Sequence, residues 1–160
     1  MGFKIPSVVS IAGSDSSGGA GIQADMKTIE SLGLFAQTAI TALTAQNTTG
    51  VSGVFDIPAE FVVEQIDAVF GDIRPNAVKI GMVSSASNVV AIAESLRAHA
   101  AENIVVDPVM VSTSGSRLIS EDASEALQGR LFPLASVITP NIPEAEVLWG
   151  CDIASKQDME

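Results

Sequence analysis

Short apolar runs alternate with amphipathic stretches along most of the chain. Residues 7–12 (SVVSIA) form a brief apolar run and predict a buried strand. Residues 21–32 carry Ile22, Met26, Ile29 and Leu32 at three- and four-residue spacing, which predicts a helix with Gly33 as its stop. Residues 34–43 (LFAQTAITAL) return to strand character, and residues 51–57 predict another short strand. Pro58 then opens a helix with Phe61, Val62, Ile66, Val69 and Phe70 on one side. Residues 77–80 (AVKI) predict a strand ending at Gly81, and residues 84–100 an amphipathic helix through Val89, Ile92, Ala93 and Leu96. Residues 104–106 (IVV) form a strand stopped by Asp107-Pro108, and residues 120–131 a helix. Residues 136–138 form a last strand, and residues 143–149 open a last helix. No internal repeat or low-complexity tract interrupts the order, and the final ten residues, CDIASKQDME, are polar and without clear periodicity.

Strands and helices taking turns predict βαβ units and an α/β fold, with a mostly parallel sheet and helices on both faces. Continuous apolar strands fit a sheet covered on both sides. Ligands of such sheets bind outside the carboxyl ends of the strands. The exits that matter are therefore Gly13-Ser14-Asp15, Thr44-Ala45-Gln46-Asn47, Gly81-Met82, Asp107-Pro108 and Pro140 to Glu144.

Composition narrows the partners. The chain has 160 residues, 47% hydrophobic and 17% charged, enough for one domain with a sizeable core. Its formal net charge of −11 argues against a nucleic-acid partner, which calls for a basic face. A small metabolite with a divalent cation suits it better. Cys151 is the only cysteine and His99 the only histidine, so neither a disulfide nor a Cys- or His-rich metal site can form within the chain. This usage suits a reducing cytoplasm. No apolar run is long enough to span a bilayer. The opening MGFKIPSVVSIAG lacks the long apolar segment of a secretion signal and reads as a first strand.

The crowded stretch SIAGSDSSGGAGIQAD (10–25) is the main candidate for chemistry. Counted from Gly13 as a nucleotide-phosphate loop, it has Gly19 where the essential lysine belongs, and it is no such loop. Gly19 to Ala24 fits a dinucleotide fingerprint in letters, but it starts too far past the strand and lacks the later acidic residue. Two readings remain. One is a glycine-rich loop whose free N–H groups and helix N-terminus hold a ligand. The other is a tight turn capped by Ser and Asp. Asp25 reads as a first-turn carboxylate, serving either the helix dipole or a ligand donor. Gln46 offers a donor and an acceptor side by side, or is a plain loop residue. Asp107 stands where a Mg²⁺ ligand or general base would, or starts an Asp-Pro turn. Asn141 reads as an N-cap with Pro143 and Glu144 in the first turn, and Glu144 could share a hydrated Mg²⁺ with Asp107. His99, near a helix end, reads as a helix-terminal cation, and a lone histidine makes a Ser-His-Asp triad improbable.

Five blocks together carry a resemblance. They are IAGSDSSGGAGIQADMKTIESLG (11–33), AITALTAQNTTGV (39–51), VKIGMVSS (78–85), VVDPVMVSTSG (105–115) and VITPNIPEAEVL (137–148). In this order they resemble the hydroxymethylpyrimidine/phosphomethylpyrimidine kinases of the ribokinase-like superfamily. The resemblance implies an ATP- and Mg²⁺-dependent phosphotransferase acting on 4-amino-5-hydroxymethyl-2-methylpyrimidine and then on its monophosphate, in thiamine biosynthesis. It implies that Gly13, Asp25, Gln46, Met82 and Val109 match substrate positions, with Asp25 and Gln46 on polar ring edges and Met82 and Val109 as apolar walls. It implies that Asp107 and Glu144 match the acidic pair near Mg²⁺ and that Asn141 stands near the nucleotide phosphates. On this reading the loop is the substrate's cradle.

Family members run about a hundred residues longer. The catalytic residue, the anion hole and most of the adenine site are expected beyond residue 160. The 160 residues alone are expected to be inactive and to self-associate, as a homodimer or otherwise, through uncovered sheet surface. A pyridoxal-type vitamin kinase and a catalytically incomplete pyrimidine-binding module are the alternatives.

Overall fold

The computed structural model of the chain describes residues 5–110 and 119–159. The first four residues, and the end of the VVDPVMVSTSG block from position 111, lie outside the described part. Among the described residues six strands form one sheet: β1 (Ser7–Asp15), β2 (Phe35–Asn47), β3 (Gly50–Asp56), β4 (Ala77–Ile80), β5 (Ile104–Val106) and β6 (Val137–Ile138). Their spatial order is β3-β2-β1-β4-β5-β6. All neighbours are parallel except β2 and β3, which form an antiparallel hairpin. The helices are α1 (Gly21–Ser31), α2 (Ala59–Asp72), α3 (Ala86–Ala98), α4 (Glu121–Ala126) and α5 (Ile142–Trp149).

The alternation of side chains along the strands decides where each helix goes. Val9 and Ile11 on β1, and Val78 and Ile80 on β4, point to one face. There they meet Val62, Ile66 and Phe70 of α2 and Val89, Ile92 and Leu96 of α3, and these side chains make the main core. Each fully buried Val, Ile or Leu here contributes about 1.5–3 kcal/mol. The intervening residues Ser10 and Lys79, Cα partners in the β1–β4 register, point to the opposite face. That face receives α1, seated on buried Ile22 and Ile29.

Helix ends follow local chemistry. Ser85 caps α3 by accepting from the Asn88 amide. Asn141 and Glu144 form a reciprocal capping box at α5, and Gly150 closes that helix in the left-handed conformation at φ +77°. His99 caps the other end of α3; its ring stacks on Phe70 and its Nε2 lies 2.6 Å from Asp67.

Three features depart from the sequence expectation. The helix expected over 120–131 is α-helical only to Ala126 and continues as a π-type turn, Leu127–Leu131. β2 is longer than its apolar run, because its polar end pairs with β3 in the hairpin. β3 is not a covered parallel strand but an antiparallel edge exposed along its whole length, including Val51, Val54 and Phe55. A single apolar stretch between turn signals does not reveal which strand it pairs with, and the hairpin took precedence over a crossover.

Gly21 is fixed by two constraints at once. Its φ is +53°, and a Cβ there would stand 2.3 Å from the Gly13 carbonyl oxygen. Gly21→Ala should therefore cost about 2–4 kcal/mol of stability, read as a lower urea midpoint with unchanged slope. A loss under about 0.5 kcal/mol, the usual range for surface substitutions, would show that the loop re-forms freely around the methyl group.

Candidate active site

The order in which strands are added reverses between β1 and β4: β1 leads outward to β2, while β4 leads the other way to β5 and β6. A crevice opens at the carboxyl ends of strands at such a switch point. Gly13 lies two residues before the end of β1 here, and Gly81-Met82 follows β4. The β1–β2 register slips between Ala12 and Ser14, so β2 bulges opposite Gly13. From that bulge Thr41 Oγ1 donates to the Met82 carbonyl at 2.8 Å, which fixes the turn after β4. The Met82 methyl reaches over Gly13, and any Cβ on Gly13 would stand 2.5 Å from it. Gly13 and Met82 thus form one apolar surface at the switch point.

The loop after β1 is organised by Asp15. Its carboxylate accepts from the amides of Ser17, Gly19 and Ala20 and from the Ser17 hydroxyl, at 2.8–3.0 Å. The Ser17 hydroxyl and then these amides hold the Asp15 carboxyl below its ordinary value. Of the two readings of this loop, these contacts match the turn capped by Ser and Asp, since an internal carboxylate takes three of its amides. Ser16 ties the loop to β2 by exchanging hydrogen bonds with the Gln46 backbone, at 2.7 and 2.9 Å.

Asp25 lies in the second turn of α1, beyond the first-turn position expected for it. It faces the sheet, where Ser10 Oγ donates to its Oδ2 at 2.6 Å. Lys79 Nζ lies 2.9 Å from Oδ2 and 3.1 Å from Oδ1. The same ammonium stands 4.0 Å from Asp107 Oδ2 at the β5 exit. Burial raises the Asp107 carboxyl above its ordinary value; Lys79 opposes the rise, and the charges of Glu144 and Asp25 add to it.

Glu144 is buried, and its two oxygens are engaged. Oε1 accepts from the Met110 amide and Oε2 from the Asn141 amide, each at 3.0 Å. It therefore ties the loop after β5 to the N-terminus of α5. The Asn141 side-chain oxygen accepts from the Glu144 amide at 2.9 Å, and the residue is exposed at the helix start. Among the described residues no three His, Cys, Asp or Glu side chains gather to hold a metal alone. The donor set still fits Mg²⁺, which takes one or two carboxylates together with water and phosphate oxygens. Asp107, half-buried and disfavoured as an anion, is the residue best suited to it. Glu144 has spare lone pairs but is committed to the backbone.

Gln46 lies at the end of β2, half-buried, with Oε1 3.2 Å from Thr44 Oγ1 and its amide nitrogen free of protein partners among the described contacts. Val109 is half-buried between buried Pro108 and Met110. Lys79, Ser10 and the organising role of Asp15 escaped the sequence reading. The signal for Lys79 was present: a lone cation in a four-residue apolar strand of a sheet covered on both faces.

Solved structures give the class. A phosphomethylpyrimidine kinase crystal structure from Clostridium difficile aligns with a TM-score of 0.91 at 52% identity, over 98% of this chain and 67% of that one. The pyridoxal kinase of Staphylococcus aureus in complex with AMP-PCP and pyridoxal aligns with a TM-score of 0.85 at 34% identity, over 98% and 56%. The fold is ribokinase-like. The phosphomethylpyrimidine kinase family pattern matches residues 15–160, and the chain belongs to that family. The hydroxymethylpyrimidine/phosphomethylpyrimidine kinase of Rhizobium meliloti is 54% identical over 149 residues, 93% of this chain and 56% of that protein. That of Bacillus subtilis is 46% identical over 156 residues, 98% of this chain and 58% of that protein. The chain thus spans a little over half the length of these two relatives.

The raised Asp107 carboxyl sets a pH dependence. An acid bound more weakly to its proton when unfolded destabilises the fold while ionised, and the fold regains stability as pH falls through the raised value. Asp107→Asn should therefore raise the unfolding midpoint at pH 7 without ligand, by a margin that shrinks toward pH 4. Lys79 keeps Asp25 as its partner in this variant, so no ammonium is left unanswered. Urea unfolding at several pH values reads the difference, and a variant less stable than the parent at pH 7 would contradict it.

Proposed function

We propose that the protein transfers the γ-phosphoryl group of ATP, with Mg²⁺, to the hydroxymethyl oxygen of 4-amino-5-hydroxymethyl-2-methylpyrimidine and then phosphorylates the monophosphate, serving thiamine biosynthesis in the cytoplasm. The observation that carries this reading is the convergence near the carboxyl ends of β1, β4 and β5 of the Gly13–Met82 apolar surface, the Asp25–Lys79 pair and the half-buried Asp107. Mg²⁺ when bound neutralises charge developing on the transferring phosphoryl group. The chain's residues supply positioning. Met82 and Val109 wall the ring, Asp25 accepts from a ring donor, and Gln46 presents its amide to a second edge. Asp107 and Glu144 would hold the cation, and Asn141 stands beside the nucleotide phosphates at the start of α5. Donors aimed at the moving charge are needed as well, and the relatives' remaining length is where we place them.

Among the described residues no helix is long and apolar enough to cross a membrane. The exposed row on β3, with Phe55 66% accessible, supports self-association with a second copy of the chain. Pyridoxal is the second substrate to test, since pyridoxal kinases share this fold at 34% identity.

In the complete protein, ATP should be consumed with the pyrimidine and far less with pyridoxal or a sugar. Residues 1–160 alone should bind the pyrimidine without turnover. Consumption with a sugar but not the pyrimidine would overturn the assignment. Gln46→Ala should weaken pyrimidine binding by about 1–3 kcal/mol, the loss expected when a ring donor or acceptor goes unpaired. Asp107→Asn should lower kcat more than it weakens pyrimidine binding, because a group near the cation acts where charge moves. Equal losses would make Asp107 a support of the fold.

A further inference from the structure

Lys79 and Ser10 lie outside every role assigned above. Both belong to the sheet, side by side on β1 and β4, and both point to the face that receives α1. Ser10 is fully buried, and its hydroxyl is spent on Asp25 Oδ2 at 2.6 Å. Lys79 is one-quarter exposed and meets both Asp25 oxygens. Among the described residues no other lysine or arginine stands within 4.0 Å of a carboxylate. An ammonium on an interior strand replacing an apolar residue is costly unless its partner is fixed. For stability alone, a Leu–Leu pair of similar volume would serve as well.

The hydrogen-bond inventory shows what the arrangement achieves. A carboxylate oxygen has two lone pairs. Oδ2 of Asp25 receives Ser10 and Lys79 and is filled, while Oδ1 receives only Lys79 and keeps one acceptor direction. We infer that Ser10 and Lys79 are positioning residues: they lock Asp25 so that its one open acceptor, on Oδ1, recognises a hydrogen-bond donor on the ring, and they thereby set the preference for an amino-bearing heterocycle. The inference rests on the reading of Asp25 as a ring-binding residue. Lys79 also joins the two halves of the site, since the ammonium that fixes Asp25 stands 4.0 Å from Asp107. Gly81 leaves that ammonium its room, since a Cβ there would come within 2.8 Å of Nζ.

A pair of ligands separates positioning from mere stability: the 4-amino-5-hydroxymethyl-2-methylpyrimidine and its analogue with hydrogen in place of the amino group. Calorimetry with the complete protein gives the ratio of their affinities, which does not depend on the fraction of protein folded. The parent should favour the amino compound by about tenfold or more, the worth of one well-placed hydrogen bond to a charged group. Lys79→Met should bring the ratio close to one while leaving affinity for the analogue nearly unchanged. Ser10→Ala, which keeps the ion pair and changes only one hydrogen bond, should reduce the ratio by a smaller factor, about two- to fivefold. It keeps the test decisive if Lys79→Met does not fold. Lys79→Gln, a neutral donor, should fall between parent and Lys79→Met. A preference that survives in both Ser10→Ala and the Lys79 variants, or a parallel loss of affinity for both ligands, would overturn the positioning role alone. A parent protein with no amino preference would overturn the reading of Asp25 itself, and the role of Lys79 with it.

Discussion

Lys79 puts an ammonium on an interior strand of a parallel sheet, where an ion costs several kcal/mol unless a partner meets it. The fold supplies that partner from α1, as Asp25, and shapes the surroundings to fit. Ser10 is small and hydroxylated and reaches the same carboxylate, and a Cβ on Gly81 would crowd the ammonium at 2.8 Å. The helix can present Asp25 at this depth only because its first residue, Gly21, presses against the β1 backbone in a left-handed conformation. The glycine-rich stretch is thus a device for bringing a helix close to a strand. Its anion-binding capacity is largely turned inward, onto Asp15.

This pairing also divides the site into two regions of different character. On the β1 side, Gly13, Met82 and the open acceptor of Asp25 suit a flat, donor-bearing ring. On the β5 side, Asp107 is a half-buried carboxylate disfavoured as an anion, a state that a cation relieves. Glu144 belongs to the second region by position, yet its oxygens brace the loop after β5 against α5. What those two contacts fix is the geometry of that loop, next to Asp107. The topological switch between β1 and β4 places both regions side by side.

Much of this was legible from the pattern of apolar residues. Period and punctuation placed the strands around Val9, Val78 and Val105 and the helices of the main core, because each buries one continuous apolar set. The strand exits named Gly13, Met82 and Asp107 as candidates to line one cleft, and the structure sets the first two in contact. Pairing was harder to see. The β2–β3 hairpin depends on a turn at Thr48-Thr49 that has no strong turn signal, so β3 read as one more covered strand. Asp25 was visible as a candidate, but its partner was not. A lysine in AVKI looks like a strand residue until the register sets it beside Ser10 and under α1. The N-cap at Asn141, with Pro143 and Glu144 in the first turn, was the most local feature and was read directly; that Glu144 answers back to the Asn141 amide came only with the structure.

The central claim is spatial: a donor-bearing ring lies at the β1–β4 switch point, between Met82 and the free oxygen of Asp25, with its hydroxymethyl group toward Asp107. A crystal structure of the protein soaked with 4-amino-5-hydroxymethyl-2-methylpyrimidine tests it most directly. The account predicts ring density over Gly13 and Met82, with the exocyclic amino group within about 3 Å of Asp25 Oδ1, an ordinary hydrogen-bond distance. Density elsewhere, for instance in the cleft lined by Asn141, Ile142 and Trp149, with Asp25 still closed on Lys79 and solvent at Oδ1, would contradict it.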